Sequence, residues 1–250
     1  MKAVILAAGE GTRLRPLTDN YPKCMVMFQG KPIINHIIDT FNFCGINDVI
    51  VVTGYKYEIL EEHLKGYQIR FIHNKDYETT NMVYSLFCAE EEMNDDLVIS
   101  YADIVFTPKV LKLLILNTDK FVVTIDEQWR ELWESRMDNP LNDAETMKID
   151  DSGFIIEIGK QPRSYDEIEG QYIGLFKISK SIVKKVRRFY HSLSNSVCND
   201  KGDFQNMYMT SFIQLVIERL MSVNAQIIQR GWLEFDTIDD FEKMKNHKLD

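Results

Sequence analysis

Two glycines, Gly9 and Gly11, follow directly on an apolar run in LAAGEGTRL (Leu6 to Leu14), and cations follow at Arg13 and, after Pro22, at Lys23. A glycine-rich turn after a buried strand exposes backbone N–H groups at the carboxyl edge of a parallel sheet, where anions are commonly held. Donors from Gly9 to Thr12 with two cations beside them suit a triphosphate. The spacing matches neither of two familiar phosphate loops. Leu14 stands where the dinucleotide fingerprint carries its third glycine, and no G-x-x-x-x-G-K-[ST] occurs. The competing reading is a tight strand-to-loop turn whose Arg13 and Lys23 merely lie on the surface.

The elements that must present this loop read as alternating strands and helices. Ala3 to Leu6 is a buried strand, and KPIINHIIDTFNFCG places Ile33, Ile34, Ile37, Ile38 and Phe41 on one helical face between Pro32 and Gly45. A strand over Asp48–Gly54, a helix over Tyr57–Leu64 and a strand over Ile69–His73 follow. A helix over Asn81–Glu92, a strand over Asp96–Tyr101, a helix over Thr107–Leu114 capped by Thr107, and a strand over Phe121–Ile125 complete a βαβ pattern with a parallel sheet. After residue 126, DAETMKID, GFIIEIGK and GQYIGLFKI read as short strands added antiparallel to the same sheet. Helices over Ser181–His191 and Tyr208–Met221, a strand at AQIIQR and a helix from Ile238 close the chain. The expected fold class is α/β: a Rossmann-like, mixed but mostly parallel sheet flanked by helices, with a smaller acceptor-side lobe. One domain over 1–250 is expected, with a nucleotide-binding half over 1–125 and an acceptor-side lobe over 126–250.

Composition bounds the partners. The 250 residues, 45% hydrophobic, can bury a sizeable core, and the formal net charge of −9 disfavours a nucleic-acid backbone without disfavouring one triphosphate pocket. Cys24, Cys44, Cys88 and Cys198 show no paired spacing, so reduced thiols are expected and neither a disulfide framework nor a zinc site. No stretch approaches the roughly 18–20 apolar residues of a membrane span, so the expected location is cytoplasmic, without membrane insertion.

AVILAAGEGTRLRPLTDNYPK (Ala3 to Lys23) resembles the L-A-A-G-x-G-T-R-L-x-P-L-T-x-x-x-P-K motif of the nucleotidylyltransferase superfamily. GKPII, VVTGY, ADIVF, GKQP and FDTIDDF carry the resemblance along nearly the whole chain. It implies a glycosyltransferase-A-like nucleotidylyltransferase fold, a nucleotide site including Leu6, Ala8, Gly9, Gly11, Thr12, Arg13 and Lys23, and Mg²⁺ held by Asp103 and Asp236. Hard carboxylate oxygens suit that ion. The structural alternatives are a loop carboxylate at Asp103 and an N-cap at Asp236. An acceptor phosphate is already ionised near neutral pH, so positioning and cations carry the reaction, with Arg13, Lys23 and Lys160 as the catalytic cations.

YETTNMVYSLFCA replaces the base-reading segment of the sugar-activating enzymes and resembles the CTP-using phosphocholine cytidylyltransferases, which points to Thr80, Asn81 and Ser85 as base contacts. Thr80 as a plain helix cap is the alternative. WRELWESRMDNPLNDAETMK, GQYIGLFKI and NMYMTSF resemble the branch acting on phosphocholine, 2-aminoethylphosphonate and phosphoglutamine. The resemblance places Trp129, Arg136, Asp143, Glu145, Lys160 and Tyr172 at the acceptor. Arg136 would hold a carboxylate or phosphate, or else pair with Glu145; Trp129 and Trp133, four apart, are a packing pair or a ligand face. Gly159 replaces the acidic residue usual before the family lysine. The expected activity is Mg²⁺-dependent CMP transfer from CTP to such an acceptor, with pyrophosphate released, in capsule, lipopolysaccharide or lipid decoration. A sugar-phosphate nucleotidylyltransferase, a nucleotide-sensing scaffold and a homodimer stay open.

Overall fold

The computed structural model describes residues 1–193, 204–247 and 249; Cys198 lies outside them. In chain order the strands are β1 (Lys2–Ala7), β2 (Met27–Phe28), β3 (Lys31–Pro32), β4 (Val49–Thr53), β5 (Ile69–His73), β6 (Leu97–Tyr101), β7 (Ile104–Phe106), β8 (Phe121–Asp126), β9 (Met147–Ile149), β10 (Ile155–Ile158), β11 (Gln171–Ile178), β12 (Asn224–Ile228) and β13 (Trp232–Glu234). The helices are α1 (Ile33–Phe43), α2 (Tyr57–His63), α3 (Met82–Cys88), α4 (Pro108–Leu116), α5 (Trp129–Arg136), α6 (Lys180–Ser192), α7 (Met209–Arg219) and α8 (Ile238–Met244).

Seven strands form the central sheet in the order β12-β8-β11-β6-β1-β4-β5. β11 runs antiparallel to both β6 and β8, and the remaining pairs are parallel. The expected α/β class, with its mixed and mostly parallel sheet, is therefore the observed one. Strands from before and after residue 126 share this one sheet, with β8 lying between β12 and β11. The chain leaves β1 for β4 and β5 on one side and returns to β6 on the other, so β1 and β6 flank a topological switch point. In open α/β sheets, ligands bind beyond the carboxyl ends of the strands at such a point.

Strand periodicity divides the core. In β1, Ala3, Ile5 and Ala7 face one apolar cluster with α1, α4 and α5, while Val4 and Leu6 face a second with α3, α6 and α7. Both faces are covered, which is why the strand reads as a continuous apolar run. Thr107 caps α4, its Oγ1 accepting from the Val110 N–H at 3.4 Å.

The expectation that all three short strands after residue 126 extend the central sheet needs correction. β11 does so, but β9 and β10 form a separate antiparallel ribbon. The Glu169 carboxylate takes the Ile149 N–H at 2.8 Å, and the Ile155 N–H goes to the Val223 carbonyl at 2.9 Å, so the ribbon's outward backbone groups are used locally. Gly153, at φ +83°, closes it.

Candidate active site

The carboxyl ends of β1 and β6, the start of α3 and the end of β13 enclose a cleft of about 340 Å³. Leu6, Ala8, Gly9, Gly11, Thr12, Arg13, Lys23, Thr80, Asn81, Ser85, Asp103 and Asp236 all line it, so the residues read from sequence as the nucleotide and metal site meet in one place. Gly11 sits at φ +64°, and a Cβ there would lie 2.7 Å from Lys23 Cβ. Glycine thus satisfies both the left-handed turn and the close passage of the lysine stem.

The charged centre is a lysine between two aspartates. Lys23 Nζ donates to Asp103 Oδ2 at 2.7 Å and to Asp236 Oδ1 at 2.8 Å, and an Arg13 Nη lies 2.5 Å from Asp236 Oδ2. These residues come from the start, middle and end of the chain, and the small β7–β13 ribbon brings the two aspartates together. Glu234 is in register with Ile104, and the Phe235 N–H donates to the Asp103 carbonyl at 3.0 Å, which sets Asp236 beside Asp103. Burial works against the charge on Lys23, but the two carboxylates outweigh it and raise the ammonium pKa, so Lys23 stays cationic. Burial pushes the neighbouring Cys24 thiol up to about 12, which leaves it without nucleophilic thiolate.

Asp236 does not cap α8. Thr237 does, in a capping box with Asp240, and Asp236 is left to the cleft. Likewise Asn81 caps α3, accepting from the Met82 N–H at 2.8 Å, and Thr80 does not. Asp103 Oδ1 is buried without a hydrogen-bond partner among the described residues. A buried carboxylate oxygen in that state is costly unless a donor or cation meets it. Among the described residues no group of three or more His, Cys, Asp or Glu side chains has metal-holding geometry. A cation here would take Asp103 Oδ1 first and Asp236 only as Lys23 or Arg13 gives up one of its oxygens, with water and phosphate oxygens completing the shell, the habit of Mg²⁺.

The residues assigned to the acceptor lie outside the lining of this cleft. Trp129 is 3% exposed and packs edge-on to Trp133, with ring centroids 5.8 Å apart, so the pair belongs to the core. Asp143 accepts from the Trp133 indole N–H at 3.0 Å. Arg136 requires correction: it pairs neither with Glu145 nor with open solvent. Its side chain is 1% exposed and donates to Asp240 at 3.0 and 3.2 Å and to Glu234 at 2.9 Å, leaving no free fork for an acceptor carboxylate. Glu145 accepts from Thr210 Oγ1 at 3.2 Å, and Gln171 clamps its backbone from both sides, accepting from the Glu145 N–H at 3.0 Å and donating to its carbonyl at 2.6 Å. The Tyr172 ring stands edge-on to Tyr101, 5.6 Å between centroids, and burial holds both phenols well above their ordinary pKa. Lys160 is 59% exposed and pairs with Glu157, which supplies the acidic neighbour that Gly159 does not.

Tyr77, Tyr101 and Glu234 also line the cleft and were not read from the sequence. Strand alternation carried the signal for two of them, since Tyr101 and Asp103, like Glu234 and Asp236, are two residues apart. Burial raises the Glu234 carboxyl to about 7; Arg136 opposes that rise, while Asp103 and Asp236 add to it.

Residues 3–191 match the MobA-like NTP transferase domain model. The chain is 44% identical over 249 residues to the CTP:phosphoglutamine cytidylyltransferase of Campylobacter jejuni, covering 97% of this chain and 98% of that one. It is 42% identical over 247 residues to the choline-phosphate cytidylyltransferase of Streptococcus pneumoniae, covering 98% and 97%. The inositol-1-phosphate CTP transferase of T. maritima shares the fold with a TM-score of 0.77 at 21% identity, over 100% of this chain and 97% of that one. With this similarity running across nearly its full length, the chain belongs to the MobA-like NTP transferase domain family.

Proposed function

We propose that this protein transfers CMP from CTP to a small phosphorylated or phosphono amine or amide and releases pyrophosphate. The observation that carries the reading is the Lys23 ammonium between Asp103 and Asp236 at the mouth of the glycine turn. The cytidylyltransferase relatives add the base, and their acceptors suggest phosphoglutamine first and phosphocholine second.

An acceptor phosphate oxygen attacks the α-phosphorus of CTP, a new P–O bond forms, and the bond to the β-phosphate oxygen breaks as pyrophosphate leaves. Two anions must approach each other, so the chain's work is to align them and offset their charge. The backbone N–H groups of residues 9–12 and the Arg13 guanidinium meet the β- and γ-phosphates, while Lys23 stands where charge builds near the α-phosphate. No strong general base is required, and among the described residues no histidine lines the cleft. Asp103 and Asp236 would hold Mg²⁺, which when bound offsets charge on the transferring phosphate. Lys160 is the candidate for the acceptor's anionic group, with Glu145 and Tyr172 for a cationic remainder. With Arg136 fully engaged, an acceptor carboxylate has to be met by other donors.

The test offers phosphoglutamine, aminoethylphosphonate, phosphocholine and glucose-1-phosphate in turn, with CTP and Mg²⁺, and follows products by phosphorus NMR. The reading expects a product in which CMP is joined to the acceptor's phosphate or phosphonate oxygen from at least one of the first three. Efficient turnover of glucose-1-phosphate alone would replace it with a sugar-activating enzyme.

A further inference from the structure

Asn74 lies just beyond β5, is 1% exposed and lies outside the lining of the cleft. Its side chain nevertheless touches two residues that line it. Asn74 Oδ1 accepts from the Asp76 N–H at 3.0 Å. A backbone N–H can only donate, so the atom it meets is the amide oxygen and the other is the NH₂ group. That NH₂ has two hydrogens, and both are used: Nδ2 donates to Thr80 Oγ1 at 3.0 Å and to Ser85 Oγ at 2.9 Å.

This fixes the sense of both hydroxyls. Thr80 has one proton, which goes to the Asp76 carbonyl at 2.8 Å, so toward the cleft Thr80 offers a lone pair only. Ser85 accepts from Asn74 and, among the described residues, gives its proton to no protein group, so it remains a donor. An acceptor beside a donor is the complement of cytosine, whose N4 amine donates and whose N3 accepts. It opposes uracil, whose O4 accepts and whose N3–H donates.

We infer that Asn74 is a specificity-determining positioning residue: it orients the Thr80 and Ser85 hydroxyls so that the cleft takes cytosine and rejects uracil. The inference rests on the CTP reading above. A site whose buried polar groups are polarised by a third group discriminates because the wrong base leaves them mispaired.

The experiment measures kcat/KM for CTP and for UTP, by pyrophosphate release with the preferred acceptor, on the same preparation of each full-length variant. General damage lowers both values; only the hydroxyl sense moves their ratio. Asn74→Ala removes the donor from both hydroxyls, leaving Ser85 free to accept as well as donate, and is expected to lower the CTP-to-UTP ratio by about tenfold or more. Asn74→Asp offers acceptors only, draws the Ser85 proton away from the cleft and is expected to lower the ratio further. Ser85→Ala, which leaves Asn74 in place, is expected to lower it as well and serves if the Asn74 variants do not fold. Folded Asn74 variants with the wild-type ratio would overturn the inference, as would an unchanged ratio in Ser85→Ala. A wild-type protein using UTP as well as CTP would instead overturn the CTP reading itself, so the two failures are distinguishable.

Discussion

Arg136 grips Asp240 through two hydrogen bonds, Nε to Oδ1 at 3.0 Å and Nη2 to Oδ2 at 3.2 Å, across 104 residues of sequence. A third, from Nη1 to Glu234 at 2.9 Å, makes the guanidinium span β13 and α8, the elements on either side of Asp236. Removing one partner of a buried pair leaves uncompensated charge, at a cost of about 3–5 kcal/mol. Arg136→Leu is expected to lose that much in urea unfolding. Arg136→Lys, which keeps the charge and loses the fork, is expected to lose less. A leucine variant within 0.5 kcal/mol of wild type, a threshold of about the size of an ordinary surface substitution, would remove the brace.

The same pair gives a pH dependence. Burial pushes the Asp240 carboxyl upward, but the hydrogen bonds and charge of Arg136 and the Thr237 cap outweigh it and hold its pKa below the ordinary value. A depressed carboxyl contributes stability above its unfolded pKa, about 3.9, and loses it as pH falls through the folded value. The stability gap between wild type and Asp240→Asn should therefore stay constant above about pH 5 and narrow as pH falls below about 4. Parallel curves through that window would count against the linkage.

The nucleotide half was legible because its signals are local. The run at Ile69–His73, the Thr107 cap and the glycines after β1 each announce themselves within a few residues. Asp103 and Asp236 were named through the motif resemblance, but what joins them is the β7–β13 ribbon, three residues a side, whose register no local pattern encodes. Arg136 was misread for a related reason. Its partners lie 98 and 104 residues downstream and depend on how β13 and α8 pack. Asn74 carried no chemical signal of its own, because its importance comes from a hydroxyl eleven residues later.

Gly54 meets the glycine turn after β1 at close range. A Cβ there would lie 2.5 Å from the Ala8 carbonyl oxygen and 2.8 Å from Tyr77 Cβ, and both residues line the cleft. Gly54→Ala is expected to cost about 1–3 kcal/mol of stability and to raise the KM for CTP as the two segments part. Steady-state kinetics beside thermal unfolding check both; an unchanged KM with unchanged stability would show that the contact relaxes freely.

Asp103→Asn and Asp236→Asn are each expected to lower turnover by at least about a hundredfold with the fold intact, because each weakens the charge that would hold the cation. Chelation by EDTA should abolish wild-type activity and added Mg²⁺ restore it. Near-normal Mg²⁺-dependent turnover in either variant would withdraw that aspartate from the metal site.

Lys160→Ala separates the two substrates. Among the described residues its exposed ammonium pairs with Glu157, and it lies outside the lining of the cleft. The acceptor KM is expected to rise by about tenfold or more, while the KM for CTP stays near wild type. A rise confined to CTP would move Lys160 to the nucleotide.

Nucleotidyl transfer is tested most directly by the fate of isotopically labelled phosphate. The protein is given CTP carrying radioactive phosphorus in either the α or the γ position, together with phosphoglutamine or phosphocholine and Mg²⁺, and the products are separated. Transfer of CMP predicts that the α label appears in the CDP-linked product and the γ label only in pyrophosphate. A γ label on the acceptor, or an α label that stays in free CMP or CDP, would contradict it.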